Sequence, residues 1–244
     1  MHAPQDNPHA VHEARKDIKR MRSLLRMTHG ALPNKGIKPV HRQLRKASRQ
    51  LHHLRDGQVF LTLLRHWLKN ADKRSSPVLR SAMGKVIESL QGQPVPGNRV
   101  QASDAQLEAA FRQHLDKADQ YFRKLEFDKI GWMSLVAAHI RIQRRERECR
   151  RRFRDEPGDD ALHDWRKRTK DYFYQSIFLK DRLKISDADI ITIKRREEAL
   201  GNARDCDLAL ELLSQIPEEA LTSAEQRSLC ASIRRKRARY LRKA

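Results

Sequence analysis

Every proline in the chain falls where a helix would be punctuated: Pro4 and Pro8, Pro33 and Pro39, Pro77, Pro94 and Pro96, Pro157 and Pro217. A proline inside a helix removes a backbone donor and clashes with the carbonyl four residues earlier, so the long runs between these points are free to be helical. Within those runs apolar residues recur at helical spacing, and no strand-like alternation appears. The pattern predicts helices near 9–29, 38–54, 57–70, 77–90, 104–127, 132–154, 161–181, 187–202, 206–215 and 223–243. Ser103-Asp104, Ser186-Asp187 and Ser223-Ala224-Glu225 each offer an oxygen to the open N–H groups of a first turn. The expected fold class is therefore all-α. The densest Pro/Gly stretch, QGQPVPGNRV, lies near the centre and marks a boundary between two halves.

Comparing the halves exposes an internal repeat. Val11-His12-Glu13-Ala14-Arg15-Lys16, with Lys19 three further on, matches Leu162-His163-Asp164-Trp165-Arg166-Lys167, with Lys170, at an offset of 151. Leu54 to Leu61 matches Ala203 to Leu210 at an offset of 149. Two blocks repeated in the same order at nearly the same spacing predict a duplicated helical unit with pseudo-twofold symmetry. The first half covers about 9–92, the linker about 91–103 and the second half about 104–243.

Charge decides what such a unit would bind. The chain carries 52 Lys and Arg against 31 Asp and Glu, a net charge of +21, and 39% hydrophobic residues allow only a thin core. An anionic partner is expected. No segment approaches the roughly 18 apolar residues of a membrane span, so no membrane partner is expected. The first ten residues, MHAPQDNPHA, contain no hydrophobic signal core, and the expected compartment is a reducing cytoplasm. Cys149, Cys206 and Cys230 are odd in number and scattered over helical stretches, which argues against a disulfide framework or a zinc site.

On a helix advancing about 100° per residue, His12, Arg15, Lys19, Arg22 and Arg26 fall within an arc of about 80°, bordering the apolar arc of Val11, Ala14, Ile18, Met21, Leu24 and Leu25. Like charges at this spacing repel by a few tenths of a kcal/mol per pair, so helix stability does not account for the row. His163, Arg166 and Lys170 repeat the first three positions of the stripe. A merely solvated face tolerates any charged residue, whereas this sequence places His, Arg and Lys at matching positions twice. The row implies a polyanion running along the helix.

The second helix adds Arg42, Arg45, Arg49 and His52 beside Val40, Leu44, Ala47, Leu51 and Leu54, and Lys194 is the counterpart of Arg45. Arg141 and Arg145 belong to an arginine-rich run that continues to Arg154, and seven cations crowd the last eleven residues. Arginine's planar fork matches pairs of phosphate oxygens, which points to phosphates over simple carboxylates. Either run can equally be an outer face that supplies only a diffuse field. Arg55-Asp56 and Arg204-Asp205 fall where one helix is expected to end and the next to begin, with the Asp capping and the Arg reaching the anion or the preceding carbonyls. His41, His52 and His53 read as ordinary surface or interface histidines.

Catalysis is a weaker reading. His139, His163-Asp164 and Asp205 superficially match the H…HD…D order of helical metal-dependent phosphohydrolases, but duplication explains His163-Asp164 as the partner of His12-Glu13. No phosphate-cradling glycine loop, Ser-His-Asp order or CxxC element is present. No catalytic residue, metal or cofactor is therefore expected. General nucleic-acid binding stays open as the alternative, although 6% aromatic residues offer little for base stacking.

The segments VHEARKDIKRMRSLLR, LRDGQVFLTLL, LHDWRKRTKDYF and LGNARDCDLALELL resemble the CHAD family, the conserved-histidine α-helical domain, over about residues 9–243. The resemblance implies a single domain of two pseudo-twofold-related four-helix bundles from an internal duplication. It also implies a basic groove or pore that binds inorganic polyphosphate without turnover, and association with polyphosphate granules. The positions that match the family pattern are His12, Arg15, Lys19, Arg20, Arg22 and Arg55, then His163, Arg166, Lys170 and Arg204. This chain departs from the pattern at Asp171, and at Phe173, which takes the place of Arg22.

Overall fold

A computed structural model describes residues 8–53, 77–90, 104–214, 216 and 220–244. The described residues form eight α-helices: α1 (Pro8–Met27), α2 (Asn34–His53), α3 (Pro77–Leu90), α4 (Asp104–Phe122), α5 (Trp132–Asp155), α6 (Asp159–Leu183), α7 (Asp187–Leu213) and α8 (Ser223–Lys243). A single 3-10 turn, Phe127–Lys129, precedes α5, and no strand occurs among the described residues. The expected helix at 57–70 and the 91–103 linker lie outside the described residues.

The helices depart from the sequence reading at four points. Helix α2 begins at Asn34 and not near 38, so Pro39 lies inside it instead of punctuating it, and α4 ends at Phe122 and not near 127. The chain is one helix through Ala203-Arg204-Asp205, where two helices were expected. Asp205 is consequently an interior residue and not a cap, because nothing between Gly201 and Cys206 removes a backbone donor or forces a left-handed turn. At α8 the cap is Thr222 and not Ser223. The Thr222 hydroxyl accepts from the Glu225 N–H at 3.2 Å while the Glu225 carboxylate accepts from the Thr222 N–H at 3.0 Å, closing a capping box. Lys85 first, and then the Thr222 N–H, hold the Glu225 carboxyl down at about 2. Thr222→Ala is expected to cost about 1 kcal/mol in urea unfolding, the scale of a lost N-cap; a change below a few tenths would mean that the box is not holding α8. Ser186 caps α7 as expected, its hydroxyl accepting from the Asp189 N–H at 3.1 Å.

The chain divides into two compact units. The first comprises 1–54 and 101–197, the second 55–100 and 198–244, so each takes chain from both sides of the 91–103 segment. Helix α7 contributes its residues to Glu197 to the first unit and the remainder to the second.

In the first unit α1, α2 and α4 share a core of Val11, Ile18, Leu25, Val40, Leu44, Ala47, Leu51 and Ala118. Apart from Ala118 they belong to the apolar arcs read from sequence, from which Met21 departs at 41% exposure, and their burial fixes which way the neighbouring cations point. Helix α6 lies along α1: Ser23 Oγ donates to the Asp171 carbonyl at 3.2 Å and Gln175 Nε2 donates to the Ser23 carbonyl at 3.3 Å. Helix α5 is locked to α6 by a buried carboxylate. Glu146, 1% exposed, accepts from Trp165 Nε1 at 2.8 Å and from Thr169 Oγ1 at 3.2 Å, and Arg196 reaches it at 3.4 Å. The second unit packs α3 and α8 with the end of α7 around Met83, Val86, Cys206, Leu213, Leu229 and Ile233. All three cysteines are free, and burial pushes the Cys206 thiol up to about 12.

Candidate functional site

The first unit contains a cleft of about 770 Å³ walled by four helices. Helix α1 supplies Arg22 and Arg26, and the turn after it His29; α2 supplies Lys38, His41, Arg42 and Arg45; α5 supplies Ala138, Arg141, Ile142 and Arg145; α6 supplies Lys167, Arg168, Asp171 and Gln175. On each helix these residues recur three or four apart, so each helix turns one stripe toward a common space. The turn depends on Gly30, whose φ of 92° suits glycine and lets the chain reverse between α1 and α2. His29 then stacks on His41 with ring centroids 5.6 Å apart.

Among the described residues, nine Lys and Arg line this space, and Asp171 is the single carboxylate in the lining. Asp171 is 1% exposed and ion-pairs with Arg26 and, at 3.6 Å, with Arg168. Among the described residues the other seven cations make no ion pair. Arg42, Arg45, Arg141 and Arg145 are exposed, so a ligand can reach them. Burial, then Arg26, lowers the Arg22 guanidinium against the opposing pull of Asp171. Burial, then Arg26, His29 and Arg22, holds the His41 imidazole at about 4, so it is neutral at pH 7. A multiply charged anion would relieve this repulsion, with arginine forks available on three walls.

The cleft gathers six of the residues picked from sequence: Arg22, Arg26, Arg42, Arg45, Arg141 and Arg145. The other described ones lie outside its lining. Arg15 is buried at 6% exposure, Lys19 is half-buried and Arg20 exposed, all on α1. Arg49 is exposed on α2 and Lys194 on α7. On α6, His163 is exposed, Arg166 half-buried, and Lys170 paired with Glu197 at 2.6 Å. Arg204 pairs with Glu211 at 3.0 Å in the second unit. Arg55 and the His12 side chain lie outside the described residues.

Lys38, His29, His41, Lys167 and Arg168 are cleft residues that the sequence reading did not select. Lys38 and His41 share the 3,4 spacing with Arg42 and Arg45, a signal that was present on α2. The α6 face was masked because Asp171 and Gln175 interrupt its cations. His139 is buried against Tyr172, ring centroids 5.4 Å apart, and burial lowers its pKa. Among the described residues no three His, Cys, Asp or Glu side chains come together as a metal-ligand set. No described helix is long and apolar enough to cross a membrane.

No curated protein and no solved structure matches the chain. A family model, that of the CHAD domain, matches residues 2–214, from the start of the first unit to the end of α7, with α8 beyond the match. With the match spanning most of its length, and with an all-helical structure, the chain belongs to the CHAD domain family.

Proposed function

We propose that the protein binds inorganic polyphosphate, without hydrolysing it, in the four-helix cleft of the first unit. The observation that carries this reading is the lining: among the described residues, nine cations against one carboxylate, with arginines on all four walls. A linear anion with one charge per short repeat matches such a surface, and bidentate arginines favour its phosphate oxygens over carboxylates. Family membership is compatible with the same ligand. The duplicated, pseudo-twofold origin of the helices and a place at polyphosphate granules belong to this proposal. So does a cytoplasmic setting, in which nucleic acid is a weaker competitor.

Binding should weaken linearly in log K against log salt, losing about 0.7 per phosphate neutralised by analogy with single-stranded nucleic acid, as measured by titration at several salt concentrations. A flat dependence would sink the electrostatic site. Polyphosphate should displace RNA from the protein at equal phosphate concentration, and RNA should not displace polyphosphate; the reverse order would favour the nucleic-acid reading. Turnover of polyphosphate that is abolished both by a chelator and by His163→Ala would revive the phosphohydrolase reading.

A further inference from the structure

We infer that His29 and His41 are part of the anion site and that His41 takes up a proton when a phosphate anion enters the cleft. The inference rests on the cleft reading proposed above and adds a regulation to it.

The two rings stack with centroids 5.6 Å apart and planes 20° apart, and both line the cleft. His41 Nε2 is buried and has no hydrogen-bond partner among the described residues. A buried ring nitrogen without a protein partner is normally met by water or a ligand. The groups around it are cations from every wall: Arg22 and Arg26 on α1, Lys38, Arg42 and Arg45 on its own helix, Arg141 and Arg145 on α5, and Lys167 and Arg168 on α6. Asp171, already paired with Arg26 and Arg168, is the only opposing charge in the lining among the described residues.

Without an anion, burial, then Arg26, His29 and Arg22, keep His41 neutral, with its pKa at about 4. That depressed value contributes stability that is complete above about pH 6.5 and is lost as pH falls toward about 4. An anion in the cleft offsets the guanidinium charges and reverses the field at the imidazole, so the pKa rises. A group whose pKa rises on binding takes up protons between its free and bound values, and affinity increases as pH falls through that window. His41 is the single acceptor, so one proton per cleft is the ceiling. The proton turns a lone pair into a further donor on the phosphate.

The test is calorimetry with cyclic trimetaphosphate, whose acid groups are all strong, so that the ligand itself does not titrate near neutrality. Titrations in two buffers of different ionisation enthalpy, at about pH 6 and about pH 8, count the protons exchanged. The expected result is uptake of roughly half to one proton at the lower pH and nearly none at the higher, with binding about two- to tenfold tighter at the lower. His41→Gln should bind without uptake and with a flat pH profile, whereas His114→Gln, on α4 away from the cleft lining, should behave as wild type. If His41→Gln does not fold, the imidazole proton resonances of the wild-type protein replace it, and one midpoint should move upward by more than about one unit when trimetaphosphate is added. Binding with no proton uptake, or uptake that survives His41→Gln, would overturn the inference and leave the polyphosphate reading standing. Absence of binding to both trimetaphosphate and long-chain polyphosphate would overturn that reading, and this inference with it.

Discussion

Asp171→Ala is expected to destabilise the first unit by about 3 kcal/mol, read as a shift in urea unfolding of the ligand-free protein. The carboxylate side chain is 2% exposed and holds Arg26 and Arg168, whose side chains are 25% and 23% exposed. Breaking a buried ion pair by deleting one partner typically costs about 3–5 kcal/mol, because the remaining charge is stranded; the partial exposure of both arginines places the value at the lower end. Here two guanidiniums are stranded beside a third, Arg22, which burial and Arg26 already disfavour. The deleted charge can be replaced from outside. Added polyphosphate should therefore stabilise Asp171→Ala more than it stabilises the wild type. A loss below about 1 kcal/mol, or equal stabilisation of both proteins by polyphosphate, would show that Asp171 is not the internal counter-ion of the cleft.

Arg45→Ala combined with Arg145→Ala is expected to weaken polyphosphate binding by about 4 kcal/mol, roughly a thousandfold. Both guanidiniums line the cleft, are exposed, and have no ion-pair partner among the described residues. Each can donate a charge-assisted pair of hydrogen bonds worth about 1–3 kcal/mol. Their loss should cost little stability, since no protein acceptor is left behind. The matched control is Lys16→Ala with Arg49→Ala, which removes the same charge outside the lining. Lys16 is exposed and bonded to Glu13 at 3.1 Å, and the control should cost under about 1 kcal/mol. Equal losses from the two pairs would mean that only net charge matters. Lys19→Ala separates the cleft from the stripe along α1: the stripe predicts a loss like that of Arg22→Ala, whereas the cleft predicts a smaller one.

The helices and their inward faces were readable from the chain because helix periodicity is local. Val11, Ile18 and Leu25 on α1, and Val40, Leu44, Ala47 and Leu51 on α2, are buried as their spacing requires. Arg42 and Arg45 stand beside that seam for the same reason. The capping of α7 by Ser186 was equally local. Continuity of α7 through Arg204 was not legible, because the sequence motif there suggested a break that no residue enforces.

What periodicity cannot say is which part of a charged face meets empty space and which meets another helix. Where α6 crosses α1 at Ser23, the α1 stripe changes role: Arg22 and Arg26 line the cleft, while Arg15 is buried and Lys19 lies outside the lining. On α6 the repeated Lys170 turns to Glu197, and the adjacent residues Lys167, Arg168 and Asp171 face the cleft instead. His41, unremarkable among the histidines of the chain, became distinctive only when packing buried it beside Arg22 and Arg26 of α1. A residue's angular position on its own helix follows from 3.6 residues per turn and is written in the sequence. Its electrostatic environment is a sum over charges brought close by packing, from residues as far apart in the chain as Arg26 and Asp171, and that sum exists only in the folded protein.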